Sequence, residues 1–299
     1  MRRFRFPFKA MGTPCEIQLY AESASAARRV SNLVQADIER LEARYSRYRE
    51  SSFLSEINRV AATGGEIAVD AETASLLDYA QTCFIESEGL FDITSGLLRQ
   101  VWNFRADSLP AEASIEALLA RIGWQRLQWE SPVLKFPLAG MEIDLGGVVK
   151  EYAVDRAATL CQEQGVRHGM INLGGDIRII GPHVDGSPWQ VAIRHPRQAD
   201  AALTTIALSS GALASSGDYE RCLTIDGQRY GHVLNAKTGW PVTHMAAVSV
   251  VADFCVVAGS ASTIGMLKDA SGSDWLQALG LPYLCVDIRG HASGTLLTG

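Results

Sequence analysis

Apolar positions recur with a helical period early in the chain and alternate with a strand period later. Between Ser25 and Tyr45, the residues Ala27, Val30, Val34, Ile38 and Leu41 fall on one stripe, which predicts a long amphipathic helix. A second helix is predicted over Ala71–Glu88, with Leu76, Leu77, Ala80 and Phe84 turned inward and Gly89 as its stop. A third runs over Ala111–Ile122, from a Ser108-Leu-Pro-Ala start to Gly123. Ahead of them, residues 14–20 alternate as a strand. Strands are expected near 126–129, 133–136 and 141–145, then a helix from Val148 to Gln164. Ile171–Leu173, Ile177–Ile180, Gln190–Arg194, Leu203–Leu208, the segment before the Asp226-Gly227 hairpin turn, and Val248–Ala252 read as further strands. Val256–Leu267 is predicted helical, and Pro282–Asp287 and Leu296–Leu297 close the chain.

Helices gather in the first half and strands in the second, without strict βαβα alternation. That order argues for an α+β fold with mixed or antiparallel sheets rather than a doubly wound parallel sheet. No repeat of solenoid length and no low-complexity linker divides the chain, so residues 1–299 are read as one compact domain with two lobes around a cleft.

Composition narrows the function classes. Of 299 residues, 47% are hydrophobic and 20% charged, as in soluble globular proteins. The formal charge of −6 comes without any basic stripe, which argues against a nucleic-acid partner. Six cysteines are scattered without a C-x-x-C pair, and most sit in apolar runs such as Phe254-Cys255-Val256. Buried free thiols in a reducing compartment are therefore expected, not a zinc cluster or a disulfide framework. The basic start, Met1-Arg-Arg-Phe-Arg-Phe-Pro-Phe-Lys-Ala10, lacks the apolar stretch of a signal peptide, and no lipobox or membrane span is found; the expectation is a cytoplasmic protein.

The chemistry-bearing signal is a pair of Gly-Gly turns. One lies in Met141-Glu-Ile-Asp-Leu-Gly-Gly-Val-Val-Lys-Glu-Tyr-Ala-Val-Asp155, the other in Gly169-Met-Ile-Asn-Leu-Gly-Gly-Asp-Ile-Arg178. Glycine pairs let backbone approach a ligand closely and aim N–H groups at anionic oxygens, and the first pair also opens a predicted helix. Neither has the spacing of a dinucleotide fingerprint or a phosphate loop, and each alone also reads as a tight strand connection. Asp144, Lys150, Asn172 and Asp176 at their edges favour a cleft for a phosphorylated cofactor. Three further segments are polar where an element end is ordinarily bland. Phe91-Asp-Ile-Thr-Ser-Gly96 also reads as an Asx or hydroxyl turn, and Leu213-Ala-Ser-Ser-Gly-Asp-Tyr-Glu-Arg221 as a capped loop. Tyr230-Gly-His-Val-Leu-Asn-Ala-Lys-Thr-Gly-Trp-Pro241 carries His232, and a lone histidine is also read as a structural residue.

Taken in order, these segments resemble the ApbE-like FAD:protein FMN transferases. The likeness runs through Met11-Gly-Thr13, Tyr45-Ser-Arg-Tyr48, Phe91-Asp-Ile-Thr94, Asp144-Leu-Gly-Gly147, Asn172-Leu-Gly-Gly-Asp176, Ser216-Gly-Asp-Tyr219, His232 with Thr238-Gly-Trp-Pro241, and Ala258 with Ser262-Thr263. The resemblance implies a fold related to the T-fold, and an enzyme that moves FMN from FAD onto a threonine or serine of an acceptor flavoprotein, releasing AMP. It implies that Met11, Tyr48, Leu90, Phe91, Asp92, Asp144, Gly146, Lys150, Asn172, Gly174, Gly175 and His232 bind FAD. His232, Lys150 and Ser216 would act at the reacting end. Mg²⁺ would take the Gly147 carbonyl and the Thr263 hydroxyl.

Two positions depart from the family pattern. The family carries a carboxylate four residues before the threonine, where this chain has Gly259; a nearby carboxylate such as Asp253 is a candidate substitute. The family's Asp-Pro after the histidine is Asn235-Ala236 here. The departures weaken the expected Mg²⁺ site and leave three readings open: an active transferase, a FAD-binding protein without transfer chemistry, and a pyrophosphatase that splits FAD into FMN and AMP.

Overall fold

Eight strands form one antiparallel sheet whose spatial order is also their order along the chain. They are β1 (Arg2–Ala10), β2 (Thr13–Ala21), β3 (Gly169–Leu173), β4 (Asp176–Gly181), β5 (Gly211–Gly217), β6 (Met245–Ala252), β7 (Tyr283–Asp287) and β8 (Ala292–Ser293). The computed structural model describes residues 1–198, 201–219 and 221–297. The helices are α1 (Ala24–Tyr45), α2 (Phe53–Thr63), α3 (Ala71–Glu86), α4 (Glu112–Leu119), α5 (Val149–Glu163), α6 (Cys255–Leu267) and α7 (Gly272–Leu279). The architecture is the expected α+β one.

Strand alternation assigns the two faces of the sheet. Cys15, Ile17 and Leu19 of β2, Ile171 and Leu173 of β3, Ala212 and Ala214 of β5, and Val248 and Val250 of β6 face α1, α5 and α6 in the main core. Met170, Ile177, Ile179 and Leu213 point the other way, under a hairpin of Trp189–Arg194 and Ala202–Leu208. A third cluster, Leu97, Leu98, Trp102, Ile115, Leu118, Ile122 and Ala236, makes a separate small core with Trp240 packed on it. Burial of these clusters is the main favourable term.

The helices begin where side chains satisfy their first amides. Ser23, Ser52 and Asp70 cap α1, α2 and α3 by accepting from Ala26, Ser55 and Thr73 backbone N–H groups. Helix α6 has no such residue of its own. Asp155, at the middle of α5, reaches across instead, accepting from Cys255 N and Val256 N at 2.9 Å each. A carboxylate at that end also suits the helix dipole.

Several expected elements differ. Segment 141–145 is extended but is not a strand: Asn58 bonds the Ile143 carbonyl and amide through its side chain (2.9 and 2.8 Å), and Asp144 N donates to Ile93 O. No neighbouring strand is needed, because an amide side chain takes its place. The first of the 126–129 residues belongs to a 3₁₀ turn, Trp124–Arg126, and the strand is Gln128–Glu130. The helix expected over Ala111–Ile122 is Glu112–Leu119. Ser215, Ser216 and Gly217 continue strand β5 and are not in a loop, and Leu296–Leu297 lie in a 3₁₀ turn. Strand β1 and helices α2 and α7 were not anticipated.

Replacing Asp155 with Ala removes two charge-assisted hydrogen bonds to α6, so we expect a loss of about 2–3 kcal/mol in unfolding free energy, and about half that for Asp155→Asn. Urea denaturation of the two variants checks this; an Ala variant as stable as the parent would show that α6 does not depend on the cap.

Candidate functional site

Met11, Asn172, Gly174 and Gly175 lie at the end of the sheet where β1 turns into β2 and β3 into β4, and Lys150 reaches it through Asp176. Met11 and Gly12 form the first two-residue turn with φ of 51° and 74°, so Met11 sits in the left-handed region that non-glycine residues rarely adopt. Gly174 and Gly175 form the second, with φ of 64° and 98°. Both turns have the geometry that suits a two-residue hairpin. They touch: a Cβ on Gly174 would collide with Thr13 Oγ1 and lie 2.8 Å from Thr13 Cγ2. Asn172 closes its turn by accepting from Gly175 N at 2.8 Å.

The other Gly-Gly pair works differently. Gly146 and Gly147 are absent from the positive-φ residues, so close packing is the reason for glycine there. A Cβ on Gly146 would lie 3.2 Å from Asp144 Oδ1, and one on Gly147 would press on the Phe91 ring at 3.3 Å. Asp144 Oδ1 accepts from Gly146 N (3.0 Å), and its other oxygen pairs with Arg47. Arg47 also donates to the Tyr48 hydroxyl (3.1 Å), holding that exposed ring beside the pair. Helix α5 starts at Val149, after Gly147 and Val148, with no side-chain cap; Val149 N donates to the Leu145 carbonyl at 2.9 Å. Such an end attracts anions.

Alternation along β4 and β5 then sends Asp176 and Ser216 toward the helices. Lys150 Nζ is 2.6 Å from Asp176 Oδ2, and Asp176 is buried. Burial would pull the Lys150 ammonium down, but the Asp176 and Glu151 carboxylates outweigh it and hold the lysine above its ordinary value. Burial raises the Asp176 carboxyl, and Lys150 offsets only part of that. Burial, then Asp176, likewise raise Glu151. One ammonium thus serves two buried carboxylates.

Ser216 Oγ lies 2.8 Å from Ser262 Oγ and 2.9 Å from Thr263 Oγ1, so three hydroxyls meet between β5 and α6. Ser262 also donates to the Gly259 carbonyl at 2.9 Å. Asp253, the substitute carboxylate suggested by sequence, is exposed and precedes α6. The carboxyl that reaches Gly259 is that of Glu151: a Cβ on Gly259 would collide with Glu151 Cγ and lie 3.2 Å from its Oε1.

The remaining predicted residues lie on the segments that follow α3 and the strand Gln228–Gly231. Leu90 and Phe91 precede a 3₁₀ turn that starts at Ile93. Asp92 spends both oxygens on that turn's frame, accepting from Thr94 N and Oγ1 (2.8 and 2.7 Å) and from Trp124 N (2.8 Å). It also lines a cavity of about 450 Å³ with Gly89, Gly123 and Lys237. His232 follows the strand Gln228–Gly231, whose Gly231 packs against Asp218. Asn235 closes the next turn by accepting from Lys237 N and Thr238 N (2.9 and 3.3 Å), so the amide oxygen does there what a carboxylate would do. Among the described residues, no three His, Cys, Asp or Glu side chains converge as a metal cluster. Oxygen donors suited to a hard divalent cation are nevertheless present on α6 and α5: the Thr263 hydroxyl and a Glu151 oxygen that is buried without a hydrogen-bond partner.

Residues 11–285 match the model of the ApbE family. The chain belongs to that family. It is 30% identical over 288 residues to the FAD:protein FMN transferase of Vibrio cholerae, covering 92% of this chain and 85% of that one. It is 31% identical over 260 residues to the enzyme of the same name from Chlamydia pneumoniae, covering 83% and 80%. Among solved structures, the ApbE protein of Thermotoga maritima superposes with a TM-score of 0.88 at 30% identity, covering 98% of this chain and 97% of that one. The flavin transferase ApbE of Vibrio cholerae gives 0.87 at 27% identity, covering 98% and 96%.

Arg47 and Ser262 contact predicted residues, Glu151 shares its pocket with Asp176, and Asp155 caps α6; sequence reasoning gave none of them a role although Arg47, Asp155 and Ser262 stand within its motifs. Asp155 was visible as the last residue of the first motif, but its partner amides lie a hundred positions on. Removing the ammonium from the buried trio, as in Lys150→Met, leaves uncompensated charge, and we expect a loss of about 3 kcal/mol or more. Chemical denaturation measures it, and recovery of part of the loss in Lys150→Met with Asp176→Leu separates the charge effect from lost packing.

Proposed function

We propose that this chain is a FAD:protein FMN transferase, moving the FMN half of FAD onto a threonine or serine of an acceptor flavoprotein and releasing AMP. The observation that carries this reading is the family match over residues 11–285. In the reaction the acceptor oxygen bonds to the FMN-side phosphorus. The bond from that phosphorus to the bridging oxygen breaks, and AMP departs with that oxygen and its electron pair. The hydroxyl proton passes to a base, the role we assign to His232.

Transfer at a diphosphate depends mainly on positioning and on neutralising charge at non-bridging and leaving oxygens. The uncapped start of α5 offers N–H groups and the positive end of a dipole. Gly146 and Gly147 admit the backbone closely, and Lys150 adds N–H donors held in place by Asp176. Because Asp176 offsets much of the lysine charge, amides and a cation carry most of the neutralisation. Mg²⁺ supplies further charge neutralisation when bound; the Gly147 carbonyl and Thr263 hydroxyl are assigned as donors to it. Ser216 positions Thr263 through their shared hydrogen bond. Met11, Tyr48, Leu90 and Phe91 are assigned to the flavin and adenine rings, Asp92 and Asp144 to polar edges and their supporting turns. Asn172, Gly174 and Gly175 shape the facing wall. Gly259 alone favours the alternative of FAD binding without transfer.

Incubation with FAD, Mg²⁺ and candidate acceptor subunits is expected to yield acceptor carrying covalent FMN by mass spectrometry, with equimolar AMP. Chelation with EDTA is expected to stop it. His232→Ala is expected to slow transfer by about a hundredfold or more while FAD affinity changes by less than about threefold. AMP released at the same rate without acceptor would point to the pyrophosphatase, and tight FAD binding with neither product to the binding module.

A further inference from the structure

Glu151 is a buried carboxyl that shares its pocket with Asp176, and one of its oxygens is left over. It belongs to the first turn of α5, is 7% exposed, and its Oε2 is buried without a hydrogen bond. A buried, unpartnered carboxyl oxygen is costly, because water has been removed and nothing replaces it. The neighbouring ammonium of Lys150 contacts Asp176 directly, at 2.6 Å, and acts on Glu151 through charge alone.

The direction of the side chain is equally specific. It fills the space beside α6 that a residue larger than glycine at 259 would occupy, with Cδ 3.1 Å and Oε1 3.2 Å from where that Cβ would lie. Gly259 has no positive φ, so the backbone does not require glycine there; the arriving Glu151 does. Positions 259 and 263 are four apart on α6 and share one face. The Glu151 carboxyl therefore lies on the face that carries Thr263, whose hydroxyl is held 2.9 Å from Ser216. Carboxylate and hydroxyl oxygens are the donors that Mg²⁺ and Mn²⁺ select, and few are needed when a diphosphate supplies others.

We propose that Glu151 supplies from α5 the carboxylate that α6 lacks at Gly259, and that it ligates the divalent cation together with Thr263. The metal site is thereby complete in charge, with one ligand moved from one helix to its neighbour. This inference rests on the transferase reading, and it deepens it by restoring the donor whose absence made the cation uncertain.

The test uses the full chain and Mn²⁺ as probe, titrated by electron paramagnetic resonance with FAD bound; FAD affinity without metal is measured separately by fluorescence quenching. Parent protein is expected to bind Mn²⁺. Glu151→Gln, which keeps shape and removes charge, is expected to weaken Mn²⁺ by about tenfold or more and to leave metal-free FAD affinity within about threefold. Moving the carboxylate back, with Glu151→Gly and Gly259→Asp together, is expected to recover Mn²⁺ affinity to within about threefold of the parent. The double variant also covers the case in which Glu151→Gln does not fold. Mn²⁺ affinity indifferent to Glu151→Gln, or a folded double variant without recovery, overturns the proposal and leaves Glu151 a protonated core carboxyl. Absence of Mn²⁺ binding by the FAD-loaded parent also overturns it, whereas absence of FAD binding without metal overturns the transferase reading itself.

Discussion

The contact between α5, β4 and α6 organises the rest of this molecule, and it is polar. Lys150, Asp176 and Glu151 meet where apolar side chains would ordinarily pack, and the Lys150–Asp176 distance of 2.6 Å leaves the ammonium little freedom. Buried ion pairs seldom add net stability compared with apolar replacements, because desolvation offsets attraction. What they add is geometry. With Lys150 fixed to the first residue of β4, the start of α5 is set against the Gly174–Gly175 turn. One turn further along α5, Asp155 fixes the start of α6 in the same manner. Two helices are thus registered to the sheet by carboxylates, with hydrophobic contact filling in around them.

Much of the frame was legible from the pattern of apolar residues. The stripe from Ala27 to Leu41 is α1, and alternation identified most strands of the central sheet. Failures have physical causes. Residues 141–145 have the composition of a strand, but the side chain of Asn58 supplies the hydrogen bonds, and no local signal distinguishes that partner from another strand. In β1, Phe4, Phe6 and Phe8 alternate cleanly, yet Pro7 and the interleaved Arg and Lys residues disguise it. Those features mark an edge strand, where proline loses no required hydrogen bond and charge blocks further pairing. Helix α2 announces itself by Ser52 with Leu54, Ile57 and Ala61 on one face, a signal that was present and passed over.

The two Gly-Gly turns show how one sequence signature covers two different constraints. Gly174 and Gly175 are needed for backbone conformation, as a hairpin of two left-handed residues. Gly146 and Gly147 have ordinary φ values and are needed for contact, because Asp144 and Phe91 stand where side chains would be. Reading both as one phosphate-cradling device merged a fold-forming turn with a site-forming one. Only the second borders a helix start, and anion attraction belongs there. The first contributes by placing Asp176 at the start of β4, where it meets Lys150.

Helix α6 leaves room beside position 259 for one side chain only. From Ala258 to Ser262 its side chains are small and buried, so α5 and β5 approach its backbone closely. At such spacing the volume beside position 259 admits one side chain, either its own or one arriving from α5. An aspartate at 259 and the present rotamer of Glu151 exclude each other, since the Cβ of the first would occupy the methylene of the second. That steric coupling links Gly259 to Glu151 across more than a hundred positions of sequence, and it is why the glycine looks like a defect when the chain is read as a line.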